Sequence, residues 1–179
     1  MINQPRSIRK SIGLVNGVDW ESVYKADMPR IYNFFRYRVG DDHVAEDLTA
    51  ETFERAWRKR DQYRNNLSAF STWLFSIARH IAIDYFRKPH SEVSLDAVVH
   101  VANDENVESL IQLHSDFERL TILLAHFTDR DRELVALKYG ACLTNRAIAD
   151  LNGMSESNVG TILNRVTQQL RAAWEENHE

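Results

Sequence analysis

Only one cysteine occurs in the 179 residues, Cys142. A lone thiol forms no internal disulfide and has no partner for a CxxC metal site, so Cys142 reads as a small buried or half-buried residue. No apolar run approaches the roughly 18 residues that a membrane span needs. Residues 1–11 are polar, carry Arg6, Arg9 and Lys10, and lead into no apolar core of a signal peptide. A cytoplasmic protein without membrane insertion is therefore expected. The seven histidines are scattered without ligand spacing, so no metal site and no cofactor are expected. No long stretch alternates with a period of two, which argues against a sheet. The content that remains, 44% hydrophobic and 27% charged, suits a folded chain of one ordinary domain or two small ones.

Positive charge is also in short supply, since the formal net charge is -4. Its distribution matters more than its sum. Residues 1–90 carry fifteen Lys and Arg against eleven Asp and Glu, whereas residues 91–179 carry seven against fifteen. Between Arg58 and Lys88 seven basic residues face only Asp61 and Asp84. That local excess is the main electrostatic footprint for a polyanion.

Helical periodicity runs almost throughout. A first helix is expected from an N-cap at Asp19 to a stop at Gly40, with Trp20, Tyr24, Ile31, Phe35 and Val39 on its apolar face. Asp41 or Asp42 caps a second helix that reaches about Asp61 and carries Val44, Leu48, Phe53, Ala56 and Trp57. After a polar segment, Phe70, Leu74, Ile77, Ile81 and Tyr85 form the cleanest stripe of the chain, with Trp73, Ala78 and Ala82 beside it. Pro89 ends that helix, because proline lacks an amide donor and disfavours helix at the preceding residue. The pattern dissolves from His90 to about Val107 into an acidic stretch that reads as an interdomain linker. Helices resume from Glu108 to Phe127. Thr128 then caps a helix that stops at Gly140.

The C-terminal pattern carries the first functional signal. Thr144 caps a short helix with Ala147, Ile148 and Leu151 inward; Asn152 and Gly153 make the turn; Ser155 caps a longer helix that buries Val159, Ile162, Leu163, Val166 and Leu170. Two helices joined by a short glycine turn are the helix-turn-helix signature. The second can lay its N-terminal side chains in a major groove about 12 Å wide. Its outward residues are Ser157, Asn158, Gly160, Thr161, Asn164 and Arg165, where Gly160 leaves room for close backbone approach. The bland alternative is an ordinary helical hairpin; the compact Ala147, the glycine turn and the polar outer face favour DNA reading.

Single-stranded nucleic acid is held by basic groups interleaved with rings on which bases stack. Tyr63, Arg64, Asn65, Asn66, Phe70, Trp73, Arg79, His80, Arg87 and Lys88 have that composition. Asn amides suit the edge of an extruded base. Phe70 and Trp73 are equally readable as core residues. On the second helix Glu46, Asp47, Glu51 and Glu54 form a carboxylate face that suits solvent or a protein partner, and no catalytic set is expected from it.

These pieces in this order resemble the bacterial sigma-70 family, in the short extracytoplasmic-function (ECF) type that keeps only the second and fourth conserved regions. The strongest match is Ala45-Glu46-Asp47-Leu48-Thr49-Ala50-Glu51-Thr52-Phe53 with Ala56-Trp57. It is similar to the helix that docks on the clamp of the largest polymerase subunit. The resemblance implies Asp47, Leu48, Glu51, Phe53 and Trp57 as core-polymerase contacts, and a flap contact by the C-terminal domain. Phe70-Ser71-Thr72-Trp73-Leu74 with Ile77-Ala78-Arg79 and Ala82-Ile83-Asp84-Tyr85 resembles the helix that melts and reads the -10 element. The resemblance thereby assigns Arg64, Asn65, Asn66, Ser68, Phe70, Trp73, Arg79, His80, Arg87 and Lys88 to -10 DNA. It assigns Ser155, Ser157, Asn158, Gly160, Thr161, Asn164 and Arg165 to -35 DNA.

The implied organisation is all-α: a tail over 1–18, region 2 over 19–89, a flexible acidic linker over 90–110 and region 4 over 111–179. Promoter DNA and core RNA polymerase are the implied partners, and an anti-sigma factor is a candidate. The sequence departs from the family pattern at Gly160, where Lys or Arg is common nearby, and at Asn145 and Arg146, where a Glu often stands. The rival readings are a stand-alone helix-turn-helix regulator, which would footprint an operator by itself, and a helical interaction module without DNA.

Overall fold

A computed structural model describes residues 14–15, 18–64, 69–87 and 107–176. Asp19 begins α1 (Trp20–Val39): its carboxylate accepts the amides of Glu21 and Ser22 at 3.2 and 3.3 Å and the Ser22 hydroxyl at 2.6 Å. Gly40 ends it at φ +71°, a left-handed backbone that glycine adopts without strain. Asp41 caps α2 (Asp42–Arg58) by accepting the Val44 amide at 2.8 Å. This helix stops short of the expected Asp61, and Arg60–Gln62 tighten into a 3-10 turn. The third helix, α3, spans Phe70–Arg87.

In the C-terminal half α4 covers Val107–Ala125, so the last residues of the expected linker, 107–110, are helical. Thr128 caps α5 (Asp129–Val135), accepting the Asp131 amide at 3.2 Å. The chain then widens into a π turn over Ala136–Gly140, where the Ala141 amide reaches back to the Ala136 carbonyl at 2.9 Å. Two more helices follow, α6 (Asn145–Asn152) and α7 (Glu156–Glu176). The all-α expectation holds with one small addition. Within the expected tail, β1 (Leu14–Val15) and β2 (Val18–Asp19) pair antiparallel, Leu14 opposite Asp19. The rest of the tail, and residues 88–106 of the expected linker, lie outside the described residues.

The core of the first three helices is aromatic at its centre. Ile31, Phe34 and Phe35 of α1 are buried against Ala45, Leu48 and Ala56 of α2 and against Leu74, Phe75, Ile77, Ala78, Ile81 and Ala82 of α3. Phe34 meets Phe35 and Phe75 edge-on, with ring centroids 5.1 and 6.2 Å apart. The stripe expected on α1 is displaced: Phe34 is central, whereas Tyr24 is 50% exposed.

The two halves do not stand apart as a linked pair of bodies. One continuous core joins α1 and α3 to Leu134, Val135, Ala136 and Leu137, and on to Ile148, Val159 and Leu163. Gly140 presses on α1 so closely that a Cβ there would lie 2.7 Å from the Asn33 carbonyl oxygen. Polar links accompany the apolar contact. Arg30 Nε donates to the Ala141 carbonyl at 2.9 Å, and the buried Arg38 donates to the Asp129 carbonyl at 3.2 Å. Burial lowers the pKa of Arg38, and Phe86 stacks beneath its guanidinium at 4.7 Å. Arg36 sits 3.8 Å above the Phe117 ring of α4.

Candidate nucleic-acid and polymerase interfaces

The helix-turn-helix is built by local capping. The Thr144 hydroxyl accepts the Ala147 amide at 3.2 Å, Gly153 turns at φ +62°, and Ser155 Oγ accepts the Asn158 amide at 3.2 Å. Ile148 and Ala149 of α6 and Val159, Leu163 and Val166 of α7 are buried, while Leu151 and Ala147 are half-buried. Ser155, Ser157, Asn158, Thr161 and Asn164 are exposed along the N-terminal part of α7. They form one polar face.

Two members of the expected -35 set differ in character. Gly160 faces its own motif: a Cβ there would meet Asn145 Nδ2 at 3.6 Å, an ordinary contact. The close approach assigned to it is therefore to α6, and space does not demand glycine. Arg165 is 50% exposed in its side chain, but its guanidinium donates to Asp131 at 2.8 Å, and that carboxylate is only 7% exposed. Periodicity alone gave no sign of this pair, since Asp131 sits thirty-four residues away on α5. The pair also lines a cavity of about 440 Å³ shared with Leu123, Phe127 and Ala173.

On the N-terminal half, Phe70 and Trp73 join a ring cluster instead of projecting singly. Phe70 lies 5.3 Å from Trp20, 5.1 Å from the buried Tyr63 and 5.3 Å from Trp73. Both residues are half-buried, so each serves the packing and remains partly open to solvent. Arg64, His80 and Arg87 are exposed, with His80 Nδ1 at 2.6 Å from the Ser76 carbonyl. Arg79 differs. It is ion-paired to Glu133 of α5 and donates to the Leu151 carbonyl of α6 at 2.6 Å, so this arrangement engages it within the protein. Asn65, Asn66, Ser68 and Lys88 lie outside the described residues.

The carboxylate face of α2 is likewise split. Asp47 is exposed; Glu51 is bound by Arg55, which also reaches Asp84 at 3.6 Å. Phe53 is half-buried with its ring 4.9 Å from Tyr24, and Trp57 is 47% exposed, edge-on to Trp20. Leu48 is the correction in this group. At 7% exposure it belongs to the core between α1 and α3, because it falls on the inward stripe with Ala45 and Thr52. It supports the face without forming it. Cys142 is another correction: it is exposed, at φ +53°, where a buried or half-buried residue was expected. Among the described residues no cluster of His, Cys, Asp and Glu could hold a metal ion, and no helix is long and apolar enough to cross a membrane.

A helix-turn-helix with an open polar face, packed on a three-helix lobe that carries rings and arginines, defines a nucleic-acid-reading transcription protein. Comparison with known proteins makes this specific. The Sigma-70 region 2 family model matches residues 23–91. The chain is 32% identical over 155 residues to the ECF RNA polymerase sigma factor SigM of Bacillus subtilis, covering 86% of this chain and 94% of that one. It is 28% identical over 166 residues to SigW of the same organism, covering 86% of each. Two solved structures share the fold. The sigma factor RpoE of Bartonella quintana, solved with the anti-sigma factor NepR, has a TM-score of 0.68 at 18% identity and covers 88% of this chain and 97% of that one. CnrH, solved with the cytosolic domain of CnrY, has a TM-score of 0.61 at 17% identity and covers 87% and 84%. The chain belongs to the ECF sigma factors of the sigma-70 family. It acts as a sigma factor, not as a stand-alone helix-turn-helix regulator.

Proposed function

We propose that the chain reads promoters with two faces once core RNA polymerase holds it. Region 2 occupies 19–89 and region 4 occupies 111–179. The single observation that carries the -35 assignment is the polar face of Ser155, Ser157, Asn158, Thr161 and Asn164, exposed on the first turns of a helix whose opposite side is buried. Hydroxyls and amides of this kind suit base edges and phosphates in a major groove. The motif from Thr144 to Arg171 carries only Arg146, Arg165 and Arg171 against Asp150 and Glu156. Counterion release from so few cations gives weak binding by itself, which supports a reader that depends on polymerase.

The -10 strand is assigned to the ring cluster and its rim. Phe70 and Trp73 offer rings for stacking, while Arg64, Arg87 and Lys88 neutralise phosphate, and Asn65, Asn66, Ser68 and His80 supply polar groups for the strand and an unpaired base. Opening base steps costs about a few kcal/mol each, and stacking one base on a ring offsets part of that. The chain supplies no nucleotide chemistry of its own. Core polymerase docks on α2 through the exposed Asp47 and Trp57 and the half-buried Glu51 and Phe53, which flank a buried stripe. The polymerase flap is assigned to the C-terminal half, where the cavity beside Leu123 and Phe127 offers apolar surface. An anti-sigma partner, of the kind present with the two solved sigma factors, is supported by the exposed Leu113 and Ile122 of α4.

Run-off transcription with purified core polymerase over a genomic library tests the reading. Promoter-specific transcripts carrying both a -35 and a -10 element are expected. Their absence would sink it.

A further inference from the structure

The helix assigned to the -35 element carries little charge on its outer face. From Ser155 to Gln169 the only lysine or arginine is Arg165. Its guanidinium donates to the Asp131 carboxylate at 2.8 Å and reaches the Gln169 side chain at 3.5 Å. Guanine is read in the major groove chiefly by an arginine or lysine that pairs with both O6 and N7. Arg165 cannot turn to a base without leaving the Asp131 carboxylate, only 7% exposed, without compensation. Glu156 is the one carboxylate of the stretch, a turn before Gly160 on the flank beside α6. Guanine therefore has no reader on this face.

Amide and methyl groups take the place of charge. Asn158, Thr161 and Asn164 follow one another at intervals of three, and all are exposed. Three helical residues rise about 4.5 Å, close to the step of about 3.4 Å between base pairs for a helix inclined in the groove. The same interval lets the helices of zinc fingers address three successive bases. Among the described residues neither the Asn158 nor the Asn164 carboxamide has a hydrogen-bond partner, so both are free to pair. An asparagine carboxamide matches adenine, accepting from N6 and donating to N7. The Thr161 hydroxyl donates to the Ser157 carbonyl at 3.0 Å, which leaves its methyl group for the 5-methyl of a thymine. A merely solvated face would be better served by glutamate, lysine or glutamine, since asparagine and threonine hold a helix poorly.

We propose that Asn158 and Asn164 determine the specificity of the -35 face and that each selects adenine. The site they define is three consecutive A·T pairs, with adenine first and third on one strand. Arg165 carries no base preference. The identity of the bases rests on the -35 assignment above and extends it.

The test uses the full chain with purified core polymerase on templates randomised across both promoter elements, and sequences the templates that are transcribed. Wild type should enrich adenine at least about fivefold at two -35 positions separated by one base pair. Asn164→Arg should change one of these positions from adenine to guanine and leave the other; Asn158→Arg should change the other. Arg165→Ala should lower the yield with both adenines still selected. A structural role for the asparagines would lower the yield without exchanging one base for another. Another base selected by wild type where either arginine variant acts would overturn the adenine assignment, as would a selected adenine that neither variant moves. Should an arginine variant lose helicity by circular dichroism, Asn158→Ala and Asn164→Ala decide, since each should flatten the preference at one position only. Failure of the -35 assignment looks different: no upstream base is preferred while the -10 preference persists, and that result overturns both readings.

Discussion

Replacing Arg165 by alanine separates two roles that a helix-turn-helix arginine can have. The guanidinium is half in water, yet it donates at 2.8 Å to an Asp131 carboxylate that is 7% exposed. Removing one member of a fully buried ion pair costs about 3–5 kcal/mol, because the other charge is left without compensation. Solvent screens one side of this pair, so about 2 kcal/mol is expected for Arg165→Ala. In a chain of this length that corresponds to a fall of about 4–8 °C in Tm, read by circular dichroism. Asp131→Asn is the companion variant, since it releases Arg165 while keeping a neutral acceptor. If Arg165 serves the -35 element by positioning α7, both variants weaken -35-dependent transcription equally and the double variant adds little. If it contacts phosphate, only Arg165→Ala weakens it, and the salt dependence of holoenzyme binding loses about one unit of slope. The -10 preference should not change in either case. A Tm within about 1 °C of wild type for Arg165→Ala would refute the buried-pair reasoning.

Further outcomes follow from single contacts. Asp47→Arg with Glu51→Arg should abolish co-purification with core polymerase while helicity is kept; unchanged binding would remove α2 as the docking face. Gly160→Ala should stabilise the protein by about 0.5–1 kcal/mol, since the added Cβ meets only Asn145 at ordinary distance and the helix loses a glycine. A lowered Tm would show that the site is tighter than described. Burial, with the Asp42 carboxylate beside it, pushes the Tyr32 phenol up to about 12. Its folded pKa thus exceeds its unfolded value of about 10, so its contribution is complete below pH 10 and is lost as pH rises toward 12. Ultraviolet titration should show Tyr32 ionising late, and Tyr32→Phe should flatten the fall in stability across that window.

Elements whose signals are local were legible from the residues alone. Asp19, Asp41, Thr128, Thr144 and Ser155 cap helices where their side chains predict, and Gly40 and Gly153 turn left-handed where a stop was expected. Capping chemistry needs only a few neighbouring residues, so one sequence carries it. The inward stripes of α3 and α7 were legible for the same reason. What escaped depends on partners far along the chain. Gly140 reads as a helix stop, but its meaning is the Asn33 backbone, 107 positions earlier. Leu48 reads as an interface residue by motif and as core by packing. One missed residue did leave a trace: Arg38 follows Ile31, Phe34 and Phe35 on the apolar stripe, and a charge on such a stripe signals an unusual buried partner.

The seam between the halves also has an order in time. Ribosomes make chains N-terminus first, at about 5–20 residues per second. The three helices that receive Gly140 end at Arg87, so roughly 3–10 s pass before Gly140 itself is synthesised. During that interval α1–α3 can assemble, and Arg79 has no Glu133 to bind. A nascent chain therefore carries Arg79 without its Glu133 and Leu151 partners until the second half has been made.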